Sequence, residues 1–273
     1  MRAASRESYA AAAERLAGFA ADASPAALAT AADELLTVTS MLAAEPRLRR
    51  ALSDPARPGS DRAGLAHQLF DGKASAPTID VLATLVSGRW SSAAELLTAT
   101  ELLVVDALIA GADRAGELAE VEDELFRFGQ VAAGTPALGT TLADTSVPAA
   151  RRTELVHSLL DGKAKIPTIR LIELAVRGLG GRNFAAGLQR LVEMVAEHRN
   201  RSVAYITVAA PLGAAEQDRL GAKLASIYGR EVSLRFDVDP GVIGGISVRV
   251  GSDLYDGTIA RRLAEARQAL TTR

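Results

Sequence analysis

Residues 65 to 79 read Leu-Ala-His-Gln-Leu-Phe-Asp-Gly-Lys-Ala-Ser-Ala-Pro-Thr-Ile, and residues 155 to 169 read Leu-Val-His-Ser-Leu-Leu-Asp-Gly-Lys-Ala-Lys-Ile-Pro-Thr-Ile. A shift of 90 positions, without a gap, superposes His67, Leu69, Asp71, Gly72, Lys73, Ala74, Pro77, Thr78 and Ile79 on identical residues. Outward from this block the same shift sets Leu52, Asp54, Pro58 and Arg62 on Leu142, Asp144, Pro148 and Arg152, and Glu34-Leu35 on Glu124-Leu125. One supersecondary unit has been duplicated. Its period is helical: Leu65, Ala66 and Leu69 make one apolar stripe, and Ile79, Leu82, Leu85 and Val86 make another. Asp71-Gly72 supplies a left-handed stop for the first of these helices, and Pro77 suits the opening turn of the next.

This pattern predicts helices near 6–21, 26–44, 47–53, 60–70, 78–87 and 92–110 in a first bundle. A second bundle follows, with helices near 114–132, 136–142, 149–160, 167–177 and 183–199. After Asn200 the period changes from 3.6 to 2. Ala204, Ile206 and Val208 share one strand face, and Val232, Leu234, Phe236 and Val238 alternate with polar residues. Between them Leu220, Leu224, Ile227 and Tyr228 form a helical stripe ended by Gly229. Ile246, Val248 and Val250 mark a third strand, Gly251 to Asp253 a reversal, and Ile259, Leu263, Ala266 and Leu270 a closing helix. The expected fold is α+β and mostly α: a duplicated N-terminal helical bundle (1–112 and 113–200) followed by a small C-terminal α+β domain (201–273).

Composition excludes several kinds of work. With 31 basic and 33 acidic side chains and a pI near 6.0, the chain has no electrostatic footprint for nucleic acid or an anionic membrane. No Cys is present, so disulfides, thiolate zinc sites and thiol nucleophiles are absent. The first nine residues lack the apolar stretch of a signal peptide. Runs such as Leu102 to Val105 fall far short of the ~20 residues needed to span a bilayer as a helix.

The sequence contains no Gly-x-x-x-x-Gly-Lys-Ser/Thr, Gly-x-Ser-x-Gly or His-Glu-x-x-His motif. His67 and His157 are one position seen twice, across the helix from the apolar stripe, and read as surface or capping residues rather than ligands; His198, near a helix end, reads the same way. The acidic pairs Glu122 with Glu124 and Asp237 with Asp239 read as solvated faces. Gly178-Leu179-Gly180-Gly181-Arg182-Asn183 has the composition of an anion-binding loop. Its counterpart Gly88-Arg89-Trp90-Ser91-Ser92 carries a bulky Trp, so both read as helix-helix turns with Ser91 or Asn183 near an N-cap, and Trp90 reads as a core residue. Neither a cofactor nor a metal is expected.

The C-terminal segment runs Asp239-Pro240, Gly244-Gly245, the strand 246–250, Gly251, then Asp256-Gly257-Thr258. That spacing, joined to a helical bundle, strongly resembles the delta subunit family of F-type ATP synthase, which includes the mitochondrial oligomycin-sensitivity-conferring protein. Tyr9-Ala10-Ala11-Ala12-Ala13 resembles the opening of the family's first helix, while Gly213 stands where the family usually has a capping Ser. The resemblance makes Asp239, Pro240, Gly244, Gly245, Gly251, Asp256 and Thr258 a structural signature, and makes the 90-residue duplication a long form of the family.

What the resemblance implies is a non-catalytic stator, or peripheral-stalk, subunit that links the catalytic alpha/beta head to membrane-anchored b subunits and resists rotor torque during proton-driven ATP synthesis. It would sit peripherally at the cytoplasmic face of the cell membrane. Family members receive the N-terminal helix of an alpha subunit in a groove between the first and fifth helices, and hold the C-terminal end of b with the C-terminal domain. By position the groove would run along Tyr9, Ala13 and Leu16 with Ile79, Leu82 and Val86, or along Ile169, Ile172 and Val176 of the second copy; both are helix-in-groove docking. Two other readings stand beside this one: a free-standing helical adaptor unrelated to ATP synthase, and a small-molecule enzyme using Asp239 or Asp256 as acid or base.

Overall fold

The structure is a computed structural model and describes residues 1–201, 203–229, 232–238, 242, 244–250 and 253–259. The chain forms two compact units, Met1–Val195 and Ala196–Arg273. Eleven helices precede the first strand among the described residues: α1 (Ala3–Asp22), α2 (Pro25–Ala44), α3 (Pro46–Ser53), α4 (Gly59–Phe70), α5 (Ala76–Ser87), α6 (Ala93–Arg114), α7 (Leu118–Gly134), α8 (Pro136–Ala143), α9 (Ala149–Leu160), α10 (Ile166–Arg177) and α11 (Phe184–Arg201). Each overlaps a helix expected from the apolar period, with the largest departure at the junction where α6 runs on to Arg114 and α7 begins at Leu118 instead of 114. The elements α8, α9 and α10 begin and end 90 residues after α3, α4 and α5.

The same displacement carries α1 onto α6 and α6 onto α11. Helix α6 is therefore the last helix of the first copy and the first helix of the second. It runs past Gly111 and stops at Ala115, before Gly116 with φ 71°. The boundary expected at 112/113 falls inside it. One hydrophobic cluster takes in both copies, from Ala12, Leu35 and Leu82 through Leu103 and Val105 to Leu125, Ile172 and Leu191. Helix α6 can serve both because it is apolar nearly all round, with Leu96, Ala99, Leu103, Val104, Val105, Ala107, Leu108, Ile109 and Ala112 buried. Gly111 admits α2 closely, since a Cβ there would sit 3.5 Å from the Cβ of Leu28. Helix α2 is itself long and apolar enough, by composition, to cross a membrane, a feature the shorter runs read from sequence did not show. Its apolar side, including Leu28, Ala31, Leu35 and Leu42, is buried in the bundle.

Two polar devices repeat with the copies. The Glu34 carboxylate accepts from the Ser75 N–H (2.8 Å) and Ser75 Oγ (2.7 Å), before the first turn of α5. Glu124 accepts in the same way from the Lys165 N–H (2.9 Å) and Thr168 Oγ1 (2.5 Å) at the start of α10. Glu124 is thus a cap for a neighbouring helix and not the solvated residue expected. The second device is a buried arginine. Arg62 donates through Nε to Val86 O, through Nη1 to Asp54 O and Arg57 O, and through Nη2 to Ser87 O and Gly88 O. Arg152 donates to Val147 O, Leu142 O and Val176 O. Each guanidinium gathers carbonyls from helix ends and from the loop just before its own helix.

In the second unit, β1 (Val203–Val208), α12 (Ala214–Tyr228), β2 (Ser233–Val238), β3 (Ile246–Val250) and β4 (Asp253–Asp256) form a four-stranded sheet of order β2-β1-β3-β4 with α12 as the crossover. Strands β1 and β2 are parallel, Ile206 opposite Phe236; β3 is antiparallel to β1, Val248 opposite Ile206. Ala204, Ile206, Val208, Leu224, Val232, Val248 and Val250 make its core. Two details depart from expectation. Strand β4 was not foreseen, because four residues carry too little alternation to read. Ile227 is 56% exposed although Tyr228 after it packs on the core, and Val238, the last residue of β2, is 44% exposed. The Glu216 carboxylate accepts from the Gly213 N–H at 3.0 Å, which retains half of a capping box although no capping Ser is present.

Candidate partner-docking surfaces

The Gly-Gly signature is a packing feature. Gly244 and Gly245 have φ 63° and 85°, and a Cβ on Gly245 would fall 2.5 Å from Gly257 O. Gly257 N–H donates to Ile246 O, Ile259 N–H donates to Gly244 O, and Asp256 Oδ1 accepts from Thr258 N–H at 3.0 Å, with Thr258 buried. The signature positions Gly244, Gly245, Asp256 and Thr258 therefore lock the entry to β3 against the exit from β4. Asp239, Pro240, Gly251 and the closing helix beyond Ile259 lie outside the described residues.

The loop Gly178 to Asn183 resolves the same way. A short 3-10 turn, Leu179–Gly181, links α10 to α11. Gly180 N–H donates to Glu101 Oε2 of α6 at 2.7 Å, so the anion in this loop is a carboxylate of the chain itself. Burial, first, holds the Glu101 carboxyl above its ordinary range against the opposing pull of the Gly180 N–H and Arg182. Asn183 Oδ1 accepts from Ala186 N–H at 2.9 Å. In the first copy Ser92, rather than Ser91, caps α6 by accepting from Glu95 N–H. Trp90 is a core residue, 7% exposed, whose Nε1 donates to Leu85 O at 3.0 Å. Among the described residues no group of three His, Asp or Glu side chains is placed to hold a metal ion.

Of the nine groove positions, Leu16, Ile79, Leu82, Val86, Ile169, Ile172 and Val176 are buried in the bundle core. Tyr9 and Ala13 are half-buried, and the Tyr9 hydroxyl donates to Asp106 of α6 at 2.5 Å. An apolar stripe identifies the side of a helix that is covered, and here the covering is the chain's own core. What the α1–α5 seam shows to solvent is a polar rim, closed by an ion pair between Arg15 and Asp80 at 2.5 Å with side chains 58% and 45% exposed.

The equivalent seam of the second copy, between α6 and α10, is roofed. Glu14, Arg15, Gly18 and Asp22 are exposed on α1, whereas Val104, Val105, Leu108 and Ala112, 90 residues on, are buried. Helix α2 covers them. Asp33 of α2 pairs with Arg170 of α10, and Leu36, Thr39, Ser40, Ala43 and Ala44 of α2 line a cavity of about 430 Å³ with Glu101, Leu174, Arg177 and Leu179. A second difference lies on the other side of α11. Phe128 and Phe184 meet edge to face at 6.3 Å, where the first copy has Val38 and Ala94. A groove of about 890 Å³ opens between α7, α8 and α11, with Phe126 55% exposed nearby.

Packed helices, with polar networks spent on joining them, make up the described part of Met1–Val195. Residues 105–270 match the family model described as ATP synthase delta (OSCP) subunit. The chain is 57% identical over 269 residues to ATP synthase subunit delta of Salinispora arenicola, covering 98% of each. It is 44% identical to the Streptomyces avermitilis protein of that name over 98% of each chain, and 41% identical to that of Streptomyces coelicolor over 100% of this chain and 99% of the other. This protein belongs to the ATP synthase delta (OSCP) subunit family. It is a structural, peripheral-stalk subunit of a membrane-associated F-type ATP synthase, not a catalyst and not an unrelated adaptor. The match begins within α6, and the first copy lies within the alignment to these relatives.

Proposed function

We propose that this chain joins the head of the synthase to its stalk at the cytoplasmic face of the membrane. The N-terminal helix of an alpha subunit docks on the first copy, along the outer face of α1 and α5, and the C-terminal unit holds the ends of the b chains. The observation that carries the choice of copy is the roof over α6 and α10. Helix α2 already takes the face that a foreign helix would need there, while the α1 counterpart is open to solvent. The Arg15–Asp80 pair on the open rim gives an incoming helix both signs of charge to meet.

Buried positions such as Leu82 and Ile172 are poor probes, since a Glu placed there would unfold the core. Exposed Arg15→Glu with Ala11→Arg tests the surface directly. Binding of a synthetic alpha N-terminal peptide, followed by calorimetry, is expected to weaken at least about tenfold, the equivalent of ~1.4 kcal/mol. Arg170→Glu should leave it within about twofold. If Arg170→Glu weakens binding and the α1 pair of changes does not, the second copy holds the head.

A further inference from the structure

The two copies differ at one titratable contact. In both, the histidine at the end of the fourth helix faces an aspartate four residues on: His67 Nδ1 lies 3.3 Å from Asp71 Oδ1, and His157 Nδ1 lies 3.4 Å from Asp161 Oδ1. In the second copy alone, the other ring nitrogen has a partner as well. His157 Nε2 is in contact with Glu173 Oε1 of α10. Position 83, the counterpart of Glu173 in the first copy, is Ala. Glu173 is 9% exposed, and His157 is its one charged partner among the described residues. A carboxylate tucked under a neighbouring helix, with a half-exposed imidazole as its cover, is an arrangement whose strength depends on one proton.

We propose that His157 is a proton-operated clasp: as the imidazolium it bridges Glu173 and Asp161 and fastens α9 to α10 in the second copy, and on losing its proton it slackens that junction. The charged groups around it are accounted for. Asp161 comes from its own helix end, and Glu173 from α10. Of the other charges on α10, Arg170 is engaged with Asp33 and Arg177 is exposed. Helix α8 carries no charged residue. Burial disfavours the charged ring, but hydrogen bonding to Asp161 and the charge of Glu173 outweigh it, and the His157 pKa lies above its ordinary value. The sign follows. A histidine whose pKa is raised by folding adds stability that is complete below its unfolded value, near 6.5, and is lost as pH rises through the higher folded value. The clasp is therefore closed below the ordinary histidine value and released as pH rises through the higher value His157 has in the folded chain. Its target is α10, which packs on the shared helix α6 and is paired to α2 through Arg170 and Asp33.

Glu173→Ala gives the second copy the residue that the first copy already folds with, which makes it a safe test. In the full-length protein, thermal unfolding is followed between about pH 5.5 and 8.5, with histidine NMR titration in parallel. The wild-type Tm minus the Glu173→Ala Tm is expected to fall by roughly 2–4 °C as pH rises across this range, the size of effect a chain of this length shows for a small free-energy change. The His157 midpoint should lie above the ordinary histidine value in the wild type and fall in Glu173→Ala. His157→Gln should remove the same slope, and His67→Gln should retain it. A His157 midpoint at or below the ordinary histidine value, or a pH slope that survives both Glu173→Ala and His157→Gln, would overturn the proposal.

Discussion

At the scale of single residues the molecule spends its polar side chains on its own backbone. Arg62 is 4% exposed, and five of its N–H···O contacts end on main-chain carbonyls with no carboxylate among them. Truncation would strand carbonyls from α3, α5 and the loop at Arg57 in a dry site, at about 1–3 kcal/mol per orphaned group. Arg62→Ala is expected to cost roughly 3 kcal/mol or more in a urea titration. Arg62→Lys should recover only part of this, because one ammonium has three donors where the guanidinium has five. A loss under about 1 kcal/mol would mean that water replaces the clasp. Glu101 gives a prediction of opposite sign. Its carboxyl pKa is raised by burial, so its charge costs stability once pH exceeds the ordinary value of 4.5. Glu101→Gln keeps an acceptor for the Gly180 N–H and is expected to be more stable than the wild type at pH 7, by a margin that shrinks as pH falls toward about 4.5 and is gone below it. Thermal unfolding at both pH values checks it. The repeat aligned Arg62 with Arg152 from sequence alone, but a pairing of positions does not say whether a cation reaches out to solvent or in to carbonyls.

At the scale of elements, helices were legible because 3.6-residue periodicity and Pro or Gly punctuation act locally, and these are what fixed α4, the Asp71-Gly72 stop and α5. Strands β1 and β2 and helix α12 were legible from the same local signals, but the parallel pairing of β1 with β2 was not, and β4 depends on its partner β3 and left no trace of its own. The groove positions show the limit most clearly. Ile79, Leu82 and Val86 have the spacing of a docking face, and the spacing is real, but it cannot tell a face covered by another subunit from one covered by the rest of the chain. What decides is the neighbour, and for α6 that neighbour is α2. Helix-to-helix capping was hidden for the same reason: Glu124 lies 41 residues before the N–H it satisfies. Glu124→Ala should cost about 1–2 kcal/mol, the range of a lost helix cap, and Glu34→Ala a similar amount in the first copy. Hydrogen exchange would place the loss in the first turn of α10 or α5 respectively. Faster exchange spread evenly over the bundle would instead mean that the glutamates act on packing and not as caps.

At the scale of the whole molecule, the duplication has produced a fusion rather than two beads, because one helix belongs to both copies. Each bundle needs six helices, and the chain supplies eleven in Met1–Arg201 by using α6 twice. The consequence is testable by where the chain is cut. A fragment beginning at residue 113 lacks the helix against which α10 packs, so Ile169, Ile172 and Val176 lose their cover, and burial of that size is worth several kcal/mol at about 25 cal/mol per Å². We expect residues 113–273 to show a second copy with weakened helical circular dichroism and collapsed NMR dispersion. A fragment beginning at residue 93 restores α6 and with it the second copy. It also bares Val104, Val105, Leu108 and Ala112, the side that α2 covers in the intact chain. That fragment should therefore bind an added peptide of residues 25–44, and should associate with itself when the peptide is absent. If 113–273 folds as well as 93–273, the second copy is independent of α6, the duplication is two domains in series, and the roof over α6 and α10 loses its bearing on which copy grips the head.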